Sequence, residues 1–503
     1  MDDNGFSSDN KPARRKIPLS WIWVLSTVLL CMVFACASIP GVFAQTRDSG
    51  NPAAGQVDAL QRNRRYVDTI QQVFNFIQRY YVEEVDPKVI FEGAMTGIFD
   101  ALQDPYSVFL TEADMKDLND TTQGSFGGVG LYISKPGEYV EVASPIEDTP
   151  GWRAGINPGD LIISINGEST DTLTLDEVLA RLRGAPGVVV NLVIRRGEKL
   201  EFPVSLTRAI IEVPTTKHAM IGNVGYLKLL TFTPMTADRA IEAINDFKSK
   251  NYSGMILDLR NNYGGLLQSA VDISSLFLEG GVVVSTRSRI ASENHVFNTR
   301  RPVLVGANIP VVVLINRGSA SASEIVAGAL KDRGRAYLVG EKSYGKGSVQ
   351  QVYPLDNSGF KITTAHYYTP SNVNIDKIGI PPDRLVQFPE FTESDAEKLN
   401  AMINDNKIPA YVSANPQANA VQVDNFAKSL ETEYGLEISL IRRLIRNEQN
   451  RTTIAPVYDL EYDVQLQAAV DILNSGNFRS LMQTTKTLRV LQDEAAEDLA
   501  LAS

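Results

Sequence analysis

Two short runs concentrate residues able to do chemistry. Gly318-Ser319-Ala320-Ser321-Ala322-Ser323-Glu324 sets serines among glycine and alanine, between an apolar run, Val311 to Ile315, and an amphipathic pattern that begins near Ser321. Tyr344-Gly345-Lys346-Gly347-Ser348-Val349-Gln350 presents a lysine between two glycines. A serine hydroxyl is a weak nucleophile at neutral pH and needs a neighbour to take its proton. A lysine amine can do so only when burial or a nearby cation lowers its pKa toward neutrality. The two runs therefore predict a serine nucleophile, Ser321, whose base is the amine of Lys346, with no histidine required.

Each of these residues also has a plainer reading. Ser321-Ala322-Ser323-Glu324 is a capping box, in which Ser321 caps a helix and Glu324 reaches back to it. A helix start is also where free N–H groups and the dipole favour a developing negative charge, so capping and catalysis share a location. Gly318, Ala320 and Ala322 would let a substrate backbone approach, which a cap alone does not need. If the run after Lys346 is a strand, Lys346, Ser348 and Gln350 share a face, and the Gln350 amide can orient the lysine. Asp258-Leu259-Arg260-Asn261-Asn262-Tyr263-Gly264-Gly265 follows a buried apolar run and precedes a helical pattern. It reads as an Asn/Gly turn. It also reads as a loop whose Gly264 and Gly265 aim N–H groups at an oxyanion together with the N–H of Ala322.

His218, His295 and His366 lie in no triad-like context, and no G-x-S-x-G elbow, HExxH or paired metal-ligand spacing occurs. No metal and no cofactor are expected.

The elements that must position these residues are legible in outline. At 503 residues the chain can hold several domains. A net charge of −11, with no basic stripe, argues against nucleic acid. Arg14, Arg15 and Lys16 precede an apolar segment, and Val42-Phe43-Ala44 fits a small-residue cleavage site. Residues 1–44 thus read as a signal peptide or signal anchor, with Leu19 to Ala37 about long enough to span a bilayer. Both cysteines, Cys31 and Cys36, fall in this segment, so the remainder uses no disulfide or thiol. Residues 45–65 read as a linker and 66–112 as a helical region. Residues 113–207 read as a small β-rich domain and 208–390 as an α/β core. Residues 391–455 read as a helical insertion without a functional reading, and 456–503 as a C-terminal helical region.

In the β-rich domain, Ser125-Phe126-Gly127-Gly128-Val129-Gly130-Leu131 offers a glycine loop beside a strand. Such a loop suits capture of a peptide C-terminus, with N–H groups on the carboxylate and the peptide added as a strand. It lacks the G-x-G-x-x-G or P-loop context of a nucleotide site.

With these residues in view, the chain resembles the carboxyl-terminal processing peptidases, the tail-specific serine proteases of peptidase family S41. The similarity spans about Asp68 to Pro389 and rests on Ser-Ala-Ser-Ala-Ser-Glu, Gly-Lys-Gly-x-Val-Gln and the Gly155 to Gly167 run. It implies a multidomain α/β fold: a ClpP/crotonase-like peptidase core with an inserted PDZ domain and helical N- and C-terminal regions. Carried over by position, it implies Ser321 as nucleophile, Lys346 as general base, Gln350 as the residue orienting that lysine, and an oxyanion loop at Gly264 and Gly265. It puts Gly128, Val129, Gly130 and Leu131 at the carboxylate-binding loop of the PDZ domain. It also implies a regulatory link between domains at Arg183, which otherwise reads as a helix-end arginine. Tyr263 stands where the family usually has proline and His366 where arginine is common. Asp463-Val464-Gln465-Leu466 resembles the family's closing helix.

The expectation is an exported serine endopeptidase of the periplasm or cell envelope. It would cleave proteins near their C-termini after recognising the unstructured tails of envelope or secreted proteins. Membrane attachment would run through residues 19–37 if the segment is uncleaved, and a homodimer or higher oligomer is left open. The rivals are a catalytically silent PDZ scaffold, and a crotonase-type acyl-CoA enzyme, which would not explain the β-rich domain.

Overall fold

The structure, a computed structural model, describes residues 52–197, 199–388, 392–450 and 456–502. The segment read as a signal or anchor, with both cysteines, lies outside them. The chain divides at Ile90 into an N-terminal unit and a larger unit, Phe91–Ser503. The first contains the helix Pro52–Tyr80, which starts inside the stretch read as linker. Ala53, Ala54, Ala59, Leu60 and Gln61 are good helix formers, and local propensity outweighs the polar composition there.

In the larger unit a six-stranded sheet runs Thr216–Ile221, Val224–Leu229, Gly254–Asp258, Val311–Ile315, Tyr337–Gly340, Arg384–Leu385. Its first pair is antiparallel and the rest parallel. A parallel sheet must be covered on both faces, which explains the unbroken apolar runs. Along the strands, Met255, Leu257, Val313 and Ile315 turn into one core, beside Ala322 and Val326. Ile256, Val312, Leu314 and Val339 turn into a second core. That second core is closed by Leu466, Ala469 and Ile472 of the helix Val464–Asn474. Burying a leucine or isoleucine such as Leu466 or Ile472 contributes about 1.5–3 kcal/mol each, so this late helix is part of the core and not an appendage.

A second sheet brings Val108–Leu110, Ser358–Tyr368, Val282–Ser288 and His295–Asn298 side by side, and Ser348–Leu355 pairs with Ser358–Tyr368. It carries the lysine loop at one strand end.

The β-rich domain forms a six-stranded sheet in the order 131–134, 140–145, 161–165, 189–196, 200–207, with the short strand Glu168–Ser169 also paired to 161–165 and the helix Leu175–Leu182 packed on a separate apolar core. Ser125–Gly128 and Ala209–Glu212 pair as an antiparallel ribbon where the chain enters and leaves this domain, as expected of an insertion. Residues 393–449 form four helices around Met402, Ile408, Leu430, Ile441 and Ile445, a small core of their own.

Candidate active site

Ser321 sits at the junction between the strand Val311–Ile315 and the helix Ala322–Asp332. Its φ of 53° and ψ of −114° are rare for a residue with a side chain. Such strain persists only where surrounding bonds hold it, and those bonds are visible. Ser319 Oγ donates to the Leu259 carbonyl at 2.8 Å and Ser323 Oγ to the Asn262 carbonyl at 2.8 Å. The Ala320 amide also donates to Asn262 O, at 3.1 Å. Two of the three serines are therefore spent on fastening the Ser-rich turn to the 259–262 loop. Ser321, the middle one, is only half-buried, whereas its neighbours are buried.

The same fastening brings the glycine loop against Ser321. Gly264 has φ +104°, and a Cβ there would lie 2.8 Å from Ser321 Cβ and 2.9 Å from the Ala322 nitrogen. Only glycine fits that approach. At Gly265 a Cβ would meet the Phe232 carbonyl at 2.2 Å. The Gly264 N–H donates to Asn262 Oδ1 at 2.9 Å, so it is engaged and not open to a ligand. Among the described residues nothing accepts from the Ala322 N–H. The loop is braced from behind by Arg260, which holds Asp258 and Asp463, each through contacts of 2.7 Å. Burial pushes the Asp258 carboxyl up, but Arg260 beside it wins and holds it below the usual range.

Glu324 was legible only as a cap. It is fully buried and accepts four hydrogen bonds: from the amides of Ser321 (2.9 Å), Gly345 (2.7 Å) and Lys346 (2.8 Å), and from Ser343 Oγ (2.6 Å). Burial raises its carboxyl above the ordinary value, with these four donors opposing. One carboxylate thus ties the serine turn to the lysine loop. Tyr367 adds a second tie, its hydroxyl 3.2 Å from the Ser321 carbonyl and in contact with the Lys346 carbonyl.

Lys346 is half-buried in that loop, its Nζ 4.5 Å from the centre of the Tyr106 ring. Burial lowers its pKa from the ordinary lysine value, and the Lys361 cation lowers it further, against Asp104 and Glu324. The flanking glycines are there for contact: a Cβ on Gly347 would meet the Asp376 amide nitrogen at 2.5 Å.

Gln350 departs from the expected placement. Its Nε2 donates to Ser348 Oγ at 2.9 Å and Thr363 Oγ1 at 3.2 Å. Among the described residues no hydrogen bond joins Lys346 to Gln350 or to Ser321. The strand begins at Ser348, leaving Lys346 in the loop before it, and the ladder shifts register between Val349 and Gln350. Strict alternation therefore does not carry from Lys346 to Gln350.

In the β-rich domain, Gly128 to Leu131 lead into the edge strand Leu131–Ser134. A groove beside that edge is lined by Phe126, Val129, Leu131, Ile133, Leu179 and Leu182. Gly130 adopts φ +77°, and a Cβ there would overlap Thr149 at 2.2 Å. Arg183 ends the helix Leu175–Leu182, also borders this groove, reaches Asp117 at 3.2 Å and lies over the Phe126 ring. Its ion pair thus runs to the helix Glu112–Gln123.

Residues 223–386 match peptidase family S41, residues 141–196 a PDZ domain, and residues 39–114 the N-terminal domain of the activating protease CtpB. A carboxy-terminal-processing protease of Bartonella bacilliformis is 41% identical over 323 residues, covering 63% of this chain and 74% of the relative. The carboxy-terminal processing protease CtpB of Bacillus subtilis is 35% identical over 347 residues, covering 68% and 71%. A solved photosystem II D1 C-terminal processing protease is 30% identical, with a TM-score of 0.39, covering 65% of this chain and 94% of that one. This chain belongs to the carboxy-terminal processing proteases, serine peptidases of family S41 that carry a PDZ domain.

Proposed function

We propose that the chain is an exported endopeptidase that recognises unstructured C-terminal tails through its PDZ domain and cleaves with a Ser321/Lys346 dyad. Ser321 Oγ attacks the scissile carbonyl while neutral Lys346 takes its proton, then passes it to the departing amine. Water hydrolyses the resulting acyl-enzyme by the same route. The Ala322 N–H, at the start of a helix, receives the oxyanion, and Gly264 shapes the space beside it. Because Gly264 N–H is engaged by Asn262, the second donor falls to Gly265.

The observation that carries this reading is the division of labour among the serines. Ser319 and Ser323 are consumed by backbone hydrogen bonds, while Ser321 is held in a strained conformation beside a lysine loop tied to it through Glu324. The apolar groove beside Gly128, Val129, Gly130 and Leu131 supports tails that end in an apolar side chain. Export is supported by Arg14, Arg15 and Lys16 ahead of Leu19 to Ala37, which would deliver the peptidase to the periplasm or envelope.

The test uses a peptide with an unstructured apolar tail and a serine-reactive fluorophosphonate. Cleavage and labelling are expected from the parent chain, and neither from Ser321→Ala. Lys346→Ala should lose at least about a hundredfold in both, the usual contribution of a general base. A parent chain that binds the tail but neither cleaves nor labels would make it a silent PDZ scaffold.

A further inference from the structure

A lysine side chain on a loop flanked by two glycines has four rotatable bonds and nothing on its own segment to aim it. The expected guide, Gln350, makes no hydrogen bond to it here. What faces the amine is the ring of Tyr106, with Nζ 4.5 Å from its centre.

That ring belongs to a turn braced by a web of short hydrogen bonds. Asp104 Oδ1 accepts from the Tyr106 amide at 3.0 Å. Asp104 Oδ2 accepts from Ser107 Oγ at 2.5 Å and from Thr363 Oγ1 at 2.6 Å. The Thr363 amide in turn donates to Ser107 Oγ at 3.0 Å. Immediately after the turn, Val108–Leu110 pairs with Gly359 to Lys361. Gln350 enters this network from the other side, donating to Thr363 Oγ1. Its amide therefore reaches the lysine's surroundings through Thr363 and Asp104.

We propose that Tyr106 is a positioning residue for the amine of Lys346, held in place by Asp104, Thr363 and Gln350. The inference rests on the Ser/Lys reading above and deepens it. An aromatic face suits this role because it attracts the ammonium form without locking it through a directed hydrogen bond, and it keeps water away. The amine is thereby confined yet can release its charge when a serine proton must be moved. The depressed pKa of Lys346, caused first by burial, agrees with a ring covering the nitrogen.

The experiment compares full-length parent, Tyr106→Phe and Tyr106→Leu. It measures kcat and KM on the tailed peptide, and the pH dependence of Ser321 labelling by a fluorophosphonate. Tyr106→Phe keeps the ring and should stay within about threefold of the parent. Tyr106→Leu should lose roughly a hundredfold in kcat, in the range set for a mispositioned general base, with KM within about threefold. Its labelling profile should also move to higher pH, because burial is the largest cause lowering the Lys346 pKa and losing the ring's cover outweighs losing its attraction for the ammonium. A Tyr106→Leu variant with the parent's kcat and pH profile overturns the proposal, and so does Tyr106→Phe falling as far as Tyr106→Leu. Should Tyr106→Leu not fold, Thr363→Val reads the same seat by removing the Oγ1 that joins Gln350 to Asp104. The same alkaline shift is expected, and an unchanged profile overturns the seat. Full activity in Ser321→Ala would sink the Ser/Lys reading itself. An active parent with an indifferent Tyr106→Leu would sink only the role of Tyr106.

Discussion

The carboxylate of Glu324 accepts from the backbone amide of Ser321 at 2.9 Å and from that of Lys346 at 2.8 Å. A single buried side chain therefore fixes the distance between the two backbones that must cooperate. Glu324 is buried, and it acts on the chemistry both through this geometry and through its charge, which raises the Lys346 pKa against burial.

Replacing it should be costly in two ways. Glu324→Ala leaves three amides and the Ser343 hydroxyl without their buried acceptor, and we expect a loss of about 2–4 kcal/mol in unfolding free energy. Activity should fall by roughly a hundredfold or more, as expected for an ångström-scale displacement of a reacting group. Glu324→Gln should also lose activity, because its NH2 faces donors where the carboxylate accepts. Denaturant titration and kcat on a tailed peptide check both statements. A variant with parental kcat would show that the tie is dispensable.

Lys361 offers a pH test with a definite sign. Its cation is one cause that lowers the pKa of Lys346, after burial. Only the neutral amine accepts a proton, so turnover rises as pH climbs through that pKa. Lys361→Met removes a lowering influence, the Lys346 pKa goes up, and the ascending limb moves to higher pH. On that limb the variant should be slower than the parent, and at higher pH the two should converge. Overlapping profiles would remove Lys361 from the account.

The tail-binding groove can be tested at its glycine. Gly130→Ala places a methyl group 2.2 Å from Thr149 Cβ at a φ of +77°, so the loop must move. KM for a tailed peptide should rise at least about tenfold, while fluorophosphonate labelling of Ser321 persists. Equal KM values for parent and variant would mean that the loop does not hold the tail.

The brace behind the glycine loop makes a stability prediction. Asp463→Ala strips Arg260 of one of its two carboxylates in a nearly buried site. Because Asp258 remains, the expected loss is about 3 kcal/mol, the lower end for breaking a buried pair. Calorimetry or denaturant titration measures it directly. A loss under about 0.5 kcal/mol, the scale of an ordinary surface change, would mean that the helix Val464–Asn474 docks without this contact.

Some of this molecule is legible in residue order alone. Val311 to Ile315 reads as a buried strand, because a parallel strand covered on both faces is apolar at every position. The helix after Ser321 shows in its cap and its apolar spacing. Ser321 and Lys346 stand out because serine, lysine, glycine and alanine in those orders suit a reaction better than a core. Those are local properties, and period and residue type express them directly.

What lay beyond the sequence was most of the relationships formed at a distance. Alternation assigns Gln350 to the face of Lys346, yet the strand starts two residues after the lysine and a register shift intervenes. Asp104, Tyr106 and Thr363 carry no recognisable motif, and only the pairing of Val108–Leu110 with the strand Ser358–Tyr368 brings them together. Asp463 meets Arg260 across 203 residues of chain. Glu324 looks like a helix cap because its other three partners belong to a loop that folding alone delivers. Residue order determines which groups are available and how each segment curls. Packing decides which of them are forced within hydrogen-bonding range, since a buried donor or acceptor must find its partner wherever the fold has put one.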